Sequence, residues 1–239
     1  TSVFRDRWLF VGRADQVATR GAYFSGRISG QPYLVVRGDD GQTRAFFNVC
    51  RHHAAEVADA GGCAQEFRCP YHGWIYRNDG SLRKAPKLGG AKRFDPQDHG
   101  LVEIPVACWG PLIAIQPHAK AARISPPTPV EVFPELHLHL EATGWSDLHF
   151  VERRTWDLHC NWKVFVDNYL DGGYHVDVLH LDLAERLDLD GYETTLYQRS
   201  VLQTCQAAAG PSSREERVSG RALYGWVYPN FMVNRYGPW

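Results

Sequence analysis

Along the first hundred residues, short apolar runs alternate with turn signals. The stretch "SGRISGQPYLVVRGDDGQTRAFFNVC" reads as strand, Asp-Gly hairpin and strand, and "WIYRNDGSL" repeats the pattern, which predicts a small all-β module. A proline-rich piece from Ile124 to Glu135, "ISPPTPVEVFPE", interrupts both periods and predicts a linker, dividing the chain into domains 1–123 and 124–239. Beyond it, "LHLHLEATGW" alternates with period two and predicts a strand with His137 and His139 on one polar face. In "TWDLHCNWKVFVDNYLD" the period changes: Trp162, Phe165, Val166 and Tyr169 fall at helical spacing and predict an amphipathic helix packed on a core. Strand patterns return in "YETTLYQRSVLQTCQAAAG" and "RALYGWVYPNFMVNRYG", on either side of "SSREERVSG", a charge run read as a solvated turn. The whole predicts an α+β class, an all-β module followed by a mixed one.

Composition narrows the function classes. At 44% hydrophobic and 13% aromatic, the 239 residues can bury a substantial core. A net charge of −1 with both signs interspersed gives no electrostatic footprint for nucleic acid or an anionic membrane. There is no apolar run of transmembrane length, and "TSVFRDRWLF" lacks the order of a secretory signal, so a cytoplasmic protein with no membrane or nucleic-acid partner is expected. The chain starts at Thr1 without methionine and stops at Trp239 within an aromatic-rich run, so a fragment of a longer protein is expected. Six cysteines, at 50, 63, 69, 108, 160 and 205, are too sparse for a secreted disulfide framework and fit a reducing compartment with a metal role for some of them.

Two of those cysteines stand in a metal-ligand pattern. "CRHHAAEVADAGGCAQEFRCPYHGW" holds Cys50-x-His52 and then Cys69-x-x-His72. Zinc also takes two cysteines and two histidines, but zinc fingers usually draw the cysteines from one knuckle and the histidines from another. Here each loop supplies one of each, as is needed when two thiolates share one iron and two imidazoles the other in a [2Fe-2S] cluster. Pro70 and Gly73 flank the second pair and suit a tight turn. The pattern resembles the Rieske motif. Respiratory Rieske proteins carry an extra cysteine in each loop, where this chain has Ala55 and Tyr71; it is therefore similar to the oxygenase type, toward the low end of the roughly −150 to +300 mV range of such centres. Cys63, Cys108, Cys160 and Cys205 are read as free or buried thiols.

The stretch "DNYLDGGYHVDVLH" adds His175 and His180, five residues apart and thus about 140° apart on an ideal helix. They cannot share a metal on a straight helix; Gly172 and Gly173 just upstream permit a break, and a local π-type widening between the histidines would bring both rings to one side. A Rieske motif followed about a hundred residues later by this stretch resembles the α subunit of Rieske non-haem iron oxygenases, the aromatic-ring-hydroxylating dioxygenase family. "CNWKVFVDNYLDGGYHV" and "YPNFMVNRYGPW" look most like its choline monooxygenase-like members. The resemblance implies an all-β Rieske domain followed by the N-terminal part of a helix-grip-like α+β catalytic domain. It also implies a mononuclear Fe(II) held by His175, His180 and one carboxylate, a facial triad with open positions for O2 and substrate.

Further implications are a reductase or ferredoxin donor fed by NAD(P)H, and a homotrimer in which one subunit's cluster serves the next subunit's iron. Many members place an acidic bridging residue three positions before the first histidine. Gly172 stands there, leaving Asp171 or Asp167 for the role. The family's carboxylate ligand lies far beyond the second histidine, past Trp239; Asp182, Glu185, Asp188 and Asp190 read as a polar face. The aromatic run Trp226, Tyr228, Phe231, Tyr236 and Trp239 fits a quaternary ammonium held by cation–π contacts, an aromatic substrate, or plain core packing. The competing classes are an aromatic-ring dioxygenase, a ferredoxin-like electron carrier that needs only the first four ligands, and a structural zinc protein.

Overall fold

A computed structural model describes residues 2–88, 92–117, 126–208 and 220–236. They fall into two compact units, Thr1–Glu131 and Val132–Trp239. The first opens with a short helix α1 (Ser2–Arg5) and continues through strands β1 (Leu9–Arg13), β2 (Ala22–Ile28), β3 (Gln31–Arg37), β4 (Thr43–Phe47), β5 (Gly61–Cys63), β6 (Glu66–Arg68), β7 (Ile75–Arg77), β8 (Leu82–Lys84), β9 (Glu103–Ile104), β10 (Val106–Trp109) and β11 (Leu112–Ile115). Three antiparallel sheets result: β5-β2-β3-β4-β9, β6-β7-β8 and β1-β11-β10.

Strand β3 explains why "QPYLVVR" is apolar on both faces. Successive strand side chains point to opposite sides. Leu34 and Val36 enter a core with Phe46, Phe67, Trp74 and Tyr76, whereas Tyr33 and Val35 enter a second core with Phe24, Ile113 and Ile115. The five-stranded sheet is thus covered on both faces, and the first core is the floor on which Cys50 and Cys69 sit. The predicted hairpins form. Asp40 accepts the Gln42 amide and pairs with Arg44 at 2.6 Å, which holds its carboxyl well below the usual range. In the β7–β8 turn, Gly80 has φ +83°, and a Cβ there would overlap the Phe46 ring, so glycine lets the two sheets meet.

The second unit holds helices α3 (Pro134–Glu141), α4 (Trp162–Tyr169), α5 (Val176–Leu179) and α6 (Leu181–Ala184), and α2 (Pro129–Val132) falls at the point in the chain where one unit gives way to the next. Strands β12 (Glu193–Leu196), β13 (Ser200–Gln206), β14 (Arg221–Val227) and β15 (Phe231–Arg235) form an antiparallel meander. Leu136 of α3 packs so closely on β14 that a Cβ at Gly225 would lie 3.1 Å from it.

Three expectations are corrected here. "LHLHLE" is helical: Leu136 and Leu140, four apart, are buried while Leu138 between them is 70% exposed, and Pro134 at the first helical position favours this start. His137 and His139 therefore lie on a helix. The described part of the proline-rich segment is also helical in α2 and the start of α3; residues 118–125 lie outside the described residues. Helix α4 forms, capped by the Asn161 side chain on the Lys163 amide at 3.1 Å, and its Tyr169 packs against the buried Leu187, Cys205, Ala222 and Tyr224 as expected, but Phe165 is 47% exposed. Phe165 sits at the edge of the apolar stripe and faces a cavity instead of a core. The charge run, apart from Gly220, lies outside the described residues, as does Trp239. No described helix is long and apolar enough to cross a membrane.

Candidate metal centres

The two loops of the first motif share one backbone scaffold. The Cys50 amide donates to the Ala55 carbonyl at 2.8 Å, and the Ala54 amide returns to the Cys50 carbonyl at 3.0 Å. The second loop repeats this: Cys69 amide to Trp74 carbonyl at 2.8 Å, Gly73 amide to Cys69 carbonyl at 3.0 Å. The fourth residue after each cysteine is left-handed, Ala54 at φ +60° and Gly73 at φ +72°. Only the offset of the histidine differs, two places in one loop and three in the other.

Both thiols lie on the buried floor, each cysteine 2% exposed, and they face one another. Tyr76, fully buried, places its hydroxyl 3.3 Å from Cys50 Sγ and accepts the Arg51 amide at 2.9 Å. Burial pushes the Cys69 thiol up, while the Tyr71 and His72 amides, directed at its sulfur, oppose that shift. Burial likewise holds the Tyr76 hydroxyl well above its ordinary range, so it stays a hydrogen-bond donor.

The imidazoles stand at the surface above. The His52 and His72 rings are 4.7 Å apart, and His52 lies flat on the buried Trp74, with ring centres at 4.9 Å and planes 3° apart. Loss of solvent around its ring, then the neighbouring His53 and His72, lowers the His52 pKa. Ligand nitrogens of His52, His53 and His72 lie within 4.8 Å of one another, and the thiols are outside that group. Two thiols gathered on one side and two imidazoles on the other fit a two-iron cluster better than one ion held by all four. His53 is the residue the sequence reading passed over; its signal was the doubled histidine in "CRHH". Cys63, Cys108 and Cys160 are exposed free thiols and Cys205 a buried one.

The second histidine pair is set by a turn and a break. After α4 the chain passes through Asp171, Gly172 and Gly173; both glycines are left-handed, at φ +74° and +83°, and Gly173 presses on the Tyr192 ring. Helix α5 runs only to Leu179, and His180, at φ −126° and ψ 56°, ends it and starts α6. The histidines meet through this break, ring centres 5.2 Å apart, and the expected π-type widening is absent from α5–α6. The Asp171 carboxylate accepts the Gly173 amide at 3.0 Å and is bonded to His175 Nδ1, leaving the Nε2 lone pair free to bind a metal. Asp167 is exposed with its carboxylate on no described partner. Among the described residues, no third ligand group joins His175 and His180 within metal-binding distance, and Asp182, Glu185, Asp188 and Asp190 are all exposed. The pair fits two corners of an iron site.

Beside it is a cavity of about 190 Å³ lined by Phe165, Tyr169, Tyr192, Tyr224, Asn234 and Tyr236 with Asp171 and the two histidines. The Tyr169 hydroxyl is anchored 3.1 Å from the Gly225 carbonyl and 3.2 Å from that of Val233. The Tyr192–Tyr224 rings stack at 6.1 Å and Tyr224–Tyr236 meet edge-on at 5.4 Å. Of the expected aromatic run, Tyr236 alone among the described residues lines this cavity; Tyr228 meets Trp226 on one side and Trp162, at the other end of α4, on another.

Residues 7–96 match the Rieske [2Fe-2S] domain, and residues 145–239 match the ring hydroxylating alpha subunit catalytic domain. The chain thus joins a Rieske [2Fe-2S] domain to a ring-hydroxylating alpha catalytic domain. It is similar to the chloroplastic choline monooxygenase of Arabidopsis thaliana, 40% identical over 99% of this chain and 58% of that protein. The carnitine monooxygenase oxygenase subunit of Escherichia coli is 29% identical over 98% of this chain and 62% of its own length. Among solved structures, a quaternary ammonium Rieske monooxygenase in complex with L-carnitine superposes with a TM-score of 0.82 at 26% identity, covering 98% of this chain and 62% of that one. Naphthalene 1,2-dioxygenase with indole bound shares the fold, with a TM-score of 0.76 at 22% identity over 98% of this chain and 62% of its own. The chain spans less than two thirds of the length of each of these relatives.

Proposed function

We propose that this chain is the cluster- and iron-bearing part of an oxygenase component that hydroxylates a small quaternary amine with O2. Its electrons come from NAD(P)H through a reductase or ferredoxin. The observation that carries the reading is the pair of loops closed by matching backbone hydrogen bonds, each offering one buried thiol and one surface imidazole. When bound, the cluster supplies one-electron transfer, and mononuclear Fe(II) supplies the reduction of oxygen and hydroxyl insertion. Cys50 and Cys69 would hold one cluster iron, and His52 and His72 the other. His175 and His180 would hold the mononuclear iron. The third ligand, a carboxylate, comes from the part of the relatives' length that this chain does not span.

The remaining assignments follow from what the side chains touch. Asp171 fixes the His175 ring through Nδ1, and we assign it the bridging role ahead of Asp167 because it alone of the two bonds a candidate ligand. The tyrosine-rich cavity presents aromatic rings and one carboxylate, with no Lys or Arg among the described residues of its lining, a surface that favours a compact organic cation. The relatives named for choline and carnitine support the same substrate class. The exposed free thiols Cys63, Cys108 and Cys160 support a reducing compartment, for which the cytoplasm is proposed; the plant relatives are chloroplastic. A homotrimer is proposed for the full-length protein. An aromatic substrate is the second reading, favoured by the same rings.

The test begins with anaerobic expression, metal analysis and the EPR spectrum of the dithionite-reduced chain. A Rieske-type signal with about two cluster irons is expected, and colourless protein carrying zinc overturns the reading. Oxygen uptake by the full-length protein with a compatible reductase is expected to depend on choline or carnitine. Uptake that responds to indole or naphthalene instead moves the assignment to the aromatic class.

A further inference from the structure

His53 has no part in the proposed cluster, yet it completes a group of three exposed imidazoles. Its ring centre lies 3.9 Å from that of His52 and 5.2 Å from that of His72, and a ligand nitrogen from each residue falls within 4.8 Å of the others. Among the described residues this is the one group of three or more metal-ligating side chains drawn that closely together. The thiols of Cys50 and Cys69 lie beneath, on the buried floor. An ion arriving from solvent therefore meets imidazoles before it meets sulfur.

We propose that the cluster-free chain binds one borderline divalent ion, such as Zn2+, through His52, His53 and His72, and that this loading competes with cluster assembly. Zinc takes imidazole nitrogens at about 2.0–2.1 Å and accepts three protein ligands plus water. Nitrogens that lie within 4.8 Å of one another must close to about 3.3 Å around such an ion, a change of at most about 1.5 Å for any pair. His52 is held flat on Trp74, so the exposed His53 and His72 rings supply that movement by side-chain rotation. Once the cluster is in place, His52 and His72 are committed to iron and the three-imidazole group no longer exists. The site thus belongs to the empty chain. It uses two proposed cluster ligands, but whether the chain binds zinc does not depend on whether it binds the cluster.

The experiment uses the full 239-residue chain, prepared free of iron, titrated with Zn2+ against a chromophoric chelator and then with Co2+. One zinc per chain is expected. His53→Asn should weaken it by more than about tenfold, since even an outer-sphere partner of a metal ligand is worth about 10–100-fold. The cobalt form should lack a thiolate-to-metal charge-transfer band. Reconstitution with iron and sulfide should be slowed by bound zinc in the parent chain, whereas His53→Asn should assemble its Rieske-type EPR signal normally. Zinc affinity unchanged in His53→Asn, or a strong thiolate band, overturns the proposal by placing the ion on Cys50 and Cys69. Failure of both chains to give a Rieske-type signal would count against the proposed cluster and leave the zinc result standing.

Discussion

The two candidate metal centres are built by opposite means. Around Cys50 and Cys69 the backbone does the organising: two loops close on themselves with matching hydrogen bonds, and the thiols are buried. Around His175 and His180 it is side chains, one aspartate and a helix break, at a half-exposed surface. The ligands of the first centre are therefore placed by backbone geometry, those of the second by a side-chain contact and a helix end. The largest effects should show whether the centres are independent. Cys69→Ser is expected to abolish the Rieske-type EPR signal while leaving Fe(II) bound at the histidine pair of the full-length protein. His175→Ala is expected to do the reverse. Metal analysis showing that either change empties both centres would break the distinction.

Within the second centre, Asp171→Asn keeps the shape of the side chain but removes the charge that holds His175 Nδ1. Fe(II) affinity of the full-length protein is expected to fall about 10–100-fold, the usual worth of an outer partner to a metal histidine. Asp167→Asn, which removes no described contact, should leave it unchanged. Anaerobic metal titration separates the two, and equal losses would mean that charge near the site matters more than orientation.

The same contrast explains what could be read in the sequence. Cys50, His52, Cys69 and His72 were legible because loop ligands fall close together along the chain and their spacing reflects local turn geometry. The strands of the first unit were legible because β3 and its neighbours alternate around fixed hairpins. "LHLHLE" misled because leucine at every second place satisfies strand alternation, while burial of Leu136 and Leu140 follows the helix; the difference lies in what β14 presents to them. Phe165 misled for a related reason: helical spacing predicts a face, but a cavity and a core both take aromatic faces. Tyr169, Tyr192 and Tyr224 come from three separated elements, and no local pattern announces such a convergence.

A smaller effect should sharpen the account of the first centre. Tyr76→Phe keeps the buried ring but removes the hydroxyl beside Cys50 Sγ. A hydrogen bond to a cluster sulfur favours the reduced, more negative state, so its loss should lower the reduction potential. A net bond of about 1 kcal/mol corresponds to on the order of 40 mV for one electron. Voltammetry of the reconstituted chain measures this directly, and an unchanged potential would mean that the hydroxyl serves only the Arg51 amide.

The smallest effect tests whether the two loops are truly equivalent. Both need a left-handed residue at the fourth place, but one uses alanine and the other glycine. For an L-residue that conformation costs about 1–2 kcal/mol, against which the smaller freedom of alanine in the unfolded chain returns about 0.4–1 kcal/mol. A Cβ at Gly73 would meet nothing closer than the flexible end of Arg68, at 3.4 Å, so packing adds little to the balance. Gly73→Ala should therefore destabilise the cluster-free chain by about 1 kcal/mol, and Ala54→Gly should stabilise it by a similar or smaller amount. Urea unfolding of the two variants gives the signs. Opposite signs would mean that the loops obey one backbone rule. Equal signs would mean that Ala54 does more than close its turn, because its methyl must then contribute contacts that outweigh the strain of its backbone.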